Sequence, residues 1–381
     1  MKWLIKSLKP WSLLLLIAGL FCTHTASLFL SSLMLSMYYL YDEMTPHGQR
    51  VLVVTGLGLA PFTALISIKD VEDRLAGLQG ITLIPETLVL GLVKDRPVLV
   101  RGVDFDKLKE YVRLEVVEGS EPVNSCINCA WIGVEAASVL GLKPGSTVEV
   151  YSVFSKTTLM FKIAGIVNSP PPYKYEVLVS RPAASALRGV SLSEASHVVV
   201  VYEPEKVNPL VLASRLGASL GEVEKGAMAL FEKALIVLAR RGGALEAYLS
   251  TPSEAYMVRL GIKREVVSAA SLALSIVFLY AYYVVAHVYA AINKPAIALL
   301  YEIGLSRKRA ALYIALIAAT TSAALLALGL AAFSELSSTV PLYISCYRLS
   351  LASEPTAIAI IAALSTLVVV YGAFRGASRE E

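Results

Sequence analysis

The chain has 381 residues, of which 56% are hydrophobic and 17% charged, with a mean hydropathy of +0.64. A soluble domain carries about 25% charge, so one soluble globule is excluded, and the apolar surplus gathers near the two ends of the chain. The net charge of +4 sits in short segments beside apolar runs, where topology and anionic lipid account for it without nucleic acid.

Pro10 to Leu40 carries no charged residue. About 20 apolar residues suffice to cross a hydrocarbon core of about 30 Å, so this run spans with length to spare and tilts or projects beyond the bilayer. Its apolar core exceeds the roughly 7 to 15 residues of a signal peptide, which favours a retained anchor over a cleaved leader. Tyr38, Tyr39 and Tyr41 stand where an interfacial aromatic belt belongs.

From 41 to 265 the composition is that of an ordinary globular domain. Lys69 to Leu78 has helical spacing, with Val71, Leu75 and Leu78 on one face. Ile81–Ile84, Thr87–Val93 and Pro97–Val103 read as strands, as do Val148–Val153, Leu159–Val167, Tyr175–Ser180 and His197–Tyr202. Trp131 to Leu140 reads as a helix stopping at Gly141. Ser169 to Tyr173 is a loop, because three prolines cannot join a ladder. Pro209–Leu220 and Glu222–Arg241 read as amphipathic helices, the first with its proline where a helix tolerates one.

Three further charge-free runs follow, Val266–Ile292, Ala310–Ser334 and Pro355–Phe374. The expected fold is an α-helical membrane protein with four transmembrane helices and an α+β extracytoplasmic domain inserted between helices 1 and 2. Residues 1–40 form the tail and first helix, 41–265 the external domain with its stalk, and 266–381 the remaining helices with a loop at 293–309. Lys and Arg stay cytoplasmic in short loops. Lys2, Lys6, Lys9, Lys294, Arg307, Lys308, Arg309, Arg375 and Arg379 therefore put both termini and that loop inside, against Arg348 alone in Glu335–Glu354. The multi-pass protein sits in the cell membrane, with 41–265 outside.

The loop reads YEIGLSRKRA from Tyr301 to Ala310. Gly304 permits a tight turn, and Ser306 is placed to cap the next helix. The triple-basic cluster Arg307, Lys308 and Arg309 is expected from topology alone and suits an acidic partner equally. Within the four apolar runs His24 and His287 are the only basic side chains, and no acidic one occurs. A bond to a neighbouring carbonyl, or an interfacial position, accounts for each more simply than a proton relay.

Catalytic signals are weak. A P-loop needs Gly-Lys followed by Ser or Thr, and no Gly-Lys pair occurs, so the chain does not hydrolyse ATP itself. Gly217-Ala218-Ser219-Leu220-Gly221 matches a nucleophile-elbow pattern but follows a helix rather than a strand. Cys126-Ile127-Asn128-Cys129 lacks the second pair a zinc site needs. A local disulfide outside the cell is the favoured reading, with free thiols as the alternative. No catalytic, cofactor-binding or metal-binding residue is assigned.

WIGVEAASVLGLKPGSTVEV, Trp131 to Val150, resembles the external domain of the MacB and lipoprotein-releasing permease family, with its small helix, "LGLKxGDxV" turn and strand. Leu159–Val167, RGVDFD at Arg101–Asp106, and Tyr175–Gly189 are similar to further elements of that domain. EIGLSRKRA is similar to the "xxGASRRxI" loop of the FtsX-like permease domain. Ser146 replaces the usual acidic residue, and the segment Asn124–Cys129 has no counterpart in the pattern. The resemblance covers nearly the whole chain. It implies a dimeric permease, homo- or heterodimeric, driven by a separate cytoplasmic ABC ATPase that binds ATP–Mg, this chain binding no cofactor. Membrane lipid is then a partner and nucleic acid is not. The resemblance also implies that Glu302, Gly304, Leu305, Ser306, Arg307, Lys308 and Arg309 dock the ATPase. The cargo would be apolar or amphipathic, since the spans offer no charged path. Two alternatives stay open, a mechanical regulator of the FtsX type without cargo, and a membrane-anchored enzyme or receptor.

Overall fold

The computed structural model describes residues 9–46, 50–56, 58–216, 235–237, 245–248, 260, 264–302, 304–339, 342–349 and 355–378. In chain order α1 (Pro10–Tyr38) leads through one helical turn (Leu40–Glu43) to β1 (Val51–Gly56), β2 (Ile66–Ser67), α2 (Ile68–Leu75), β3 (Ile81–Val93) and β4 (Arg96–Val103). Then come α3 (Phe105–Lys109), β5 (Glu115–Gly119), β6 (Cys129–Gly133), α4 (Val134–Leu140), β7 (Thr147–Ser152) and β8 (Thr158–Asn168). β9 (Val177–Ser180), α5 (Arg181–Arg188), β10 (Glu194–Ala195), β11 (His197–Tyr202), α6 (Pro209–Arg215), β12 (Leu235–Val237) and β13 (Leu245–Tyr248) follow. The chain ends through α7 (Arg264–Ile292), α8 (Lys294–Glu302), α9 (Arg307–Thr339), a hairpin of β14 (Leu342–Ile344) and β15 (Tyr347–Leu349), and α10 (Pro355–Ser378). Two compact units result, a helical one of residues 1–37, 264–341 and 350–381, and a sheet-rich one of 38–263 and 342–349.

In the helical unit, α1, residues 269–292 of α7 and residues 307–337 of α9 are long and apolar enough to cross a membrane, while Ala362–Ser378 of α10 is a shorter apolar stretch. Leu16, Leu20, Tyr282, Ala286, Ile314, Ala318 and Val369 share one core. A Cβ on Gly372 would stand 2.8 Å from the carbonyl oxygen of Tyr283, and one on Gly376 2.7 Å from that of His287. This small-residue pair on α10 therefore lets its backbone lie against α7. The Tyr282 hydroxyl of α7 hydrogen-bonds Nδ1 of His24 on α1 at 2.8 Å, and Nε2 of the same ring hydrogen-bonds Ser322 Oγ on α9 at 3.3 Å. His24 thus bonds hydroxyls on two other helices rather than a neighbouring carbonyl, and His287 stacks on Tyr283 at 5.5 Å. At the far end, Asn293 donates to Ser12 Oγ at 2.8 Å and to Tyr289 O at 2.9 Å, and accepts from the Lys9 N–H at 3.2 Å. His24, Ser322, Ser12 and Asn293 are buried, so the bonds among them fix helix register.

The sheet-rich unit holds one 11-stranded sheet ordered β12-β13-β1-β11-β3-β4-β9-β6-β8-β5, with β7 bridging β3 and β8. The strands expected at Ile81–Ile84 and Thr87–Val93 are one strand that runs through Pro85. Its first half pairs only with β11 and its second half with β4, so the proline falls where the strand has one neighbour, which a sheet tolerates. The helix expected over Trp131–Leu140 begins only at Val134. Trp131, Ile132 and Gly133 belong to β6 between β8 and β9. A strand buried on both faces reads as a continuous apolar run, which periodicity alone does not separate from a buried helix. Gly141 ends α4 in the left-handed region, at φ +61°. Pro209–Leu220 is helical as far as Arg215. Glu222–Arg241 lies outside the described residues except for Leu235–Val237, which form β12 paired to β13 instead of a helix.

One apolar core packs Val98, Val100, Ile132, Ala136, Phe161, Val177 and Cys346, and another packs Leu52, Val71, Leu75, Val198 and Leu212. The presence of Cys346 in the first is informative. The hairpin β14–β15, which joins α9 to α10 in the chain, folds as part of the sheet-rich unit. Ser345 donates to Pro97 O at 2.6 Å, and Tyr343 to Glu135 at 3.4 Å.

Candidate functional site

The segment 293–309, expected as a loop, is a helix followed by a short turn. Ala296, Ile297 and Leu300 form one buried face of α8, and the carbonyl of Asn293 accepts its first bond, from Ile297 at 3.1 Å. Pro295 lies in the first turn, where a missing N–H costs nothing. The helix closes with the Leu305 N–H on Leu300 O at 3.1 Å and the Gly304 N–H on Tyr301 O at 2.9 Å. Gly304 sits at φ +92°. That is a Schellman end, with the glycine in the left-handed position and the following apolar residue turned back onto the helix; Leu305 packs against the helical core. The carbonyl of Ser306 accepts from the Ala310 N–H at 3.1 Å, placing Ser306 at the cap of α9. The Arg307 guanidinium lies 5.8 Å over the Tyr301 ring, and Glu302, Lys308 and Arg309 are exposed. Arg307, Lys308 and Arg309 fill the first turn of α9, where the helix dipole disfavours cations by about 0.3–1 kcal/mol each. The helix does not select these residues for its own stability.

A second cluster lies in the sheet-rich unit. Arg101 on β4 is fully buried between two carboxylates. Its guanidinium bonds Glu86 of β3, and Glu176 through both oxygens, the Nη2–Oε1 contact being 2.8 Å. Nη2 also donates to the carbonyl of Met44, just beyond α1, at 2.8 Å. Tyr173 and Tyr111 donate to Glu86 Oε1 at 2.9 and 3.2 Å, and Tyr347 of β15 donates to Glu176. His197 Nε2 lies 2.9 Å from Glu86 Oε2. A carboxylate only accepts, so Nε2 carries the proton, and its 3.3 Å approach to Arg101 is a contact between two donors.

One guanidinium against two carboxylates leaves a buried excess of one negative charge, and the two acids divide accordingly. Burial pushes Glu86 up, but Arg101, His197 and Tyr173 outweigh it and bring the carboxyl down to about 2. Burial raises Glu176, and Arg101 and Tyr347 only partly offset it, with Glu86 adding to the rise. Burial also keeps His197 below its ordinary value. The arrangement binds and positions; it presents no nucleophile to a substrate.

In the sequence Arg101 stands only as the first letter of the RGVDFD motif, and no local pattern marks Glu86, Glu176, His197 or Tyr347. The available signal was a lone cation inside the apolar strand run Val98–Val103. Cys126 and Cys129 are joined by a disulfide. Beside them Asn124 accepts from the Phe105 N–H and donates to Asp104 and Asp106, each at 2.8 Å, so the segment 124–129 is fixed onto the start of α3. Gly217–Gly221 lies outside the described residues. Cys346 is buried and Cys22 exposed. Among the described residues no three His, Cys, Asp or Glu side chains gather as a metal site.

No family model and no curated protein matches the chain. Among solved structures it is similar to the extracellular domain of the noncanonic ABC-type transporter YknZ from Gram-positive bacteria, at 11% identity and a TM-score of 0.31, over 44% of this chain and 96% of that one. It is also similar to a domain of a candidate permease protein from Porphyromonas gingivalis, at 15% identity and a TM-score of 0.32, over 57% of this chain and 99% of that one. At these values the likeness assigns neither an activity nor a partner.

Proposed function

We propose that this chain is the membrane subunit of an ABC-type permease, working as a dimer and driven by a separate ATPase that holds ATP–Mg. It has four spans, α10 being the last, both termini are cytoplasmic, and the sheet-rich unit is outside. The observation that carries this reading is the α8–α9 turn. A short helix fixed by its apolar face and a Schellman glycine presents Glu302, Lys308 and Arg309 outward. Cations stand on the helix end that disfavours them, as suits a surface made for an acidic or phosphate-bearing partner. The resemblance of EIGLSRKRA to the FtsX-like loop points the same way.

Transmission by leverage fits better than a pore. His24 is held by two hydroxyls, and an ionisable group so occupied offers no charged path through the helices. An apolar or amphipathic molecule taken from the outer surface is the cargo this suits. The same observation favours a second reading, in which the external unit moves a partner and no cargo is carried.

The test is copurification of the membrane protein with candidate ATPase subunits, wild type against Arg307→Glu/Lys308→Glu. Capture by wild type and its loss in the variant support the reading. Folded wild-type protein that captures no ATPase overturns it. ATP turnover that no lipid or amphiphile stimulates would favour the mechanical reading.

A further inference from the structure

Two stretches of chain that border helical segments meet on one buried guanidinium. The first is Leu40–Met44, directly after α1. The second is the hairpin β14–β15, directly between α9 and α10. Met44 and Tyr347 are buried in a single small core with Leu99 and Tyr175, and Leu40, Tyr41, Phe62 and Leu90 pack around it. Beneath that core, Arg101 Nη2 donates both to Met44 O and to Glu176 Oε1, and the Tyr347 hydroxyl donates to that same Oε1.

We propose that Arg101 is a mechanical joint, coupling the chain leaving α1 to the connector between α9 and α10 through Met44 O, Arg101, Glu176 and Tyr347, so that the two connections move together. This goes beyond the ATPase reading and does not depend on it.

The geometry gives the joint its specificity. A guanidinium is a planar fork of fixed donors, so a donor held by Met44 O and a donor pair held by Glu176 cannot turn independently. Glu176 is surrounded by donors alone on its Oε1 side, which ties the position of the Tyr347 hydroxyl to the plane of Arg101. Two further hydrogen bonds of the hairpin bypass the joint. Ser345 binds Pro97 O, and Tyr343 reaches Glu135.

The experiment is amide hydrogen exchange on the full-length protein in lipid nanodiscs, following peptides over 40–46, 342–349 and α2. Tyr347→Phe keeps the ring beside Tyr175, 5.1 Å between centroids, and removes only the hydroxyl. The joint predicts exchange about tenfold faster at 342–349 and also faster at 40–46, with α2 unchanged, the size expected for one lost bond to a buried charge. Ser345→Ala loosens the hairpin without touching Arg101 and is expected to raise exchange at 342–349 alone. A rise confined to the hairpin in Tyr347→Phe overturns the proposal. So does a rise in all three peptides, or a rise at 40–46 in Ser345→Ala, since either would report general loss of stability.

Discussion

Arg101 shows why a single residue can organise a domain. A buried guanidinium is costly unless its charge and donors are met, and here two carboxylates and a backbone carbonyl take four of its five N–H donors. Removing one partner leaves the others charged and dry, so Arg101→Ala is expected to destabilise the sheet-rich unit by about 3–5 kcal/mol, read from its urea midpoint in the purified full-length protein. Arg101→Met with Glu86→Gln and Glu176→Gln removes charge as a set, and its midpoint is expected closer to wild type than that of Arg101→Ala. The cluster also sets a pH response. Burial holds His197 below its ordinary value, so the unfolded chain takes a proton that the folded one refuses. The His197 contribution is present above about pH 6.5 and lost as pH falls through its folded value. Glu176 is raised and works oppositely, its contribution being lost as pH rises through its folded value. Glu86, at about 2, adds stability that persists until strong acid. Thermal midpoints from pH 7.5 to 5 are expected to fall with pH in wild type relative to His197→Gln, because the variant lacks only the histidine slope. A parallel pair of curves would show that His197 is not the group responsible.

At the scale of elements, the α8–α9 turn was legible in the sequence because glycine and serine have local jobs. Gly304 is left-handed because the Schellman end needs it, and Ser306 stands where the next helix begins. A Cβ on Gly304 would meet nothing within 4 Å, so Gly304→Ala changes conformational cost alone, about 1–2 kcal/mol. Its expected signature is faster amide exchange at 300–306 with helix content preserved; unchanged exchange would mean the turn does not depend on the left-handed glycine. A glycine signal also placed the stop at Gly141, and apolar spacing found α2, expected over Lys69–Leu78 and observed over Ile68–Leu75. They failed where long-range pairing decides. Trp131–Gly133 became a strand because β8 and β9 flank it, and Pro85 sits within a strand because only one neighbour pairs there. The charge cluster joins residues from β3, β4, β11, β15 and the segment before β9. No spacing rule links Arg101 to Tyr347, and a three-residue strand reading Tyr-Arg-Leu between two long helices gives little sign of its destination.

For the molecule as a whole, residues 342–349 and 38–263 form one compact unit, and the proposed topology puts that unit outside. If the proposed topology holds, α7 and α9 each cross once between those two stretches, and both are long and apolar enough to do so. On the proposed topology the α8–α9 turn is expected on the cytoplasmic side, as its Lys294, Arg307, Lys308 and Arg309 require under the positive-inside rule. The crossing of α10 decides on which side Ser378 lies. With Cys22 and Cys346 replaced by alanine, single cysteines at Glu118, Lys308 and Ser378, each exposed, separate the cases by labelling with a membrane-impermeant maleimide. Glu118→Cys is expected to react in intact cells, and Lys308→Cys only after permeabilisation. Ser378→Cys should behave like Lys308→Cys, because Arg375 in the last turn of α10 favours the inner surface. Reaction of Ser378→Cys in intact cells would leave three spans and put the C-terminal tail outside. Reaction of Lys308→Cys there would reverse the whole arrangement and remove the turn from the reach of any cytoplasmic ATPase.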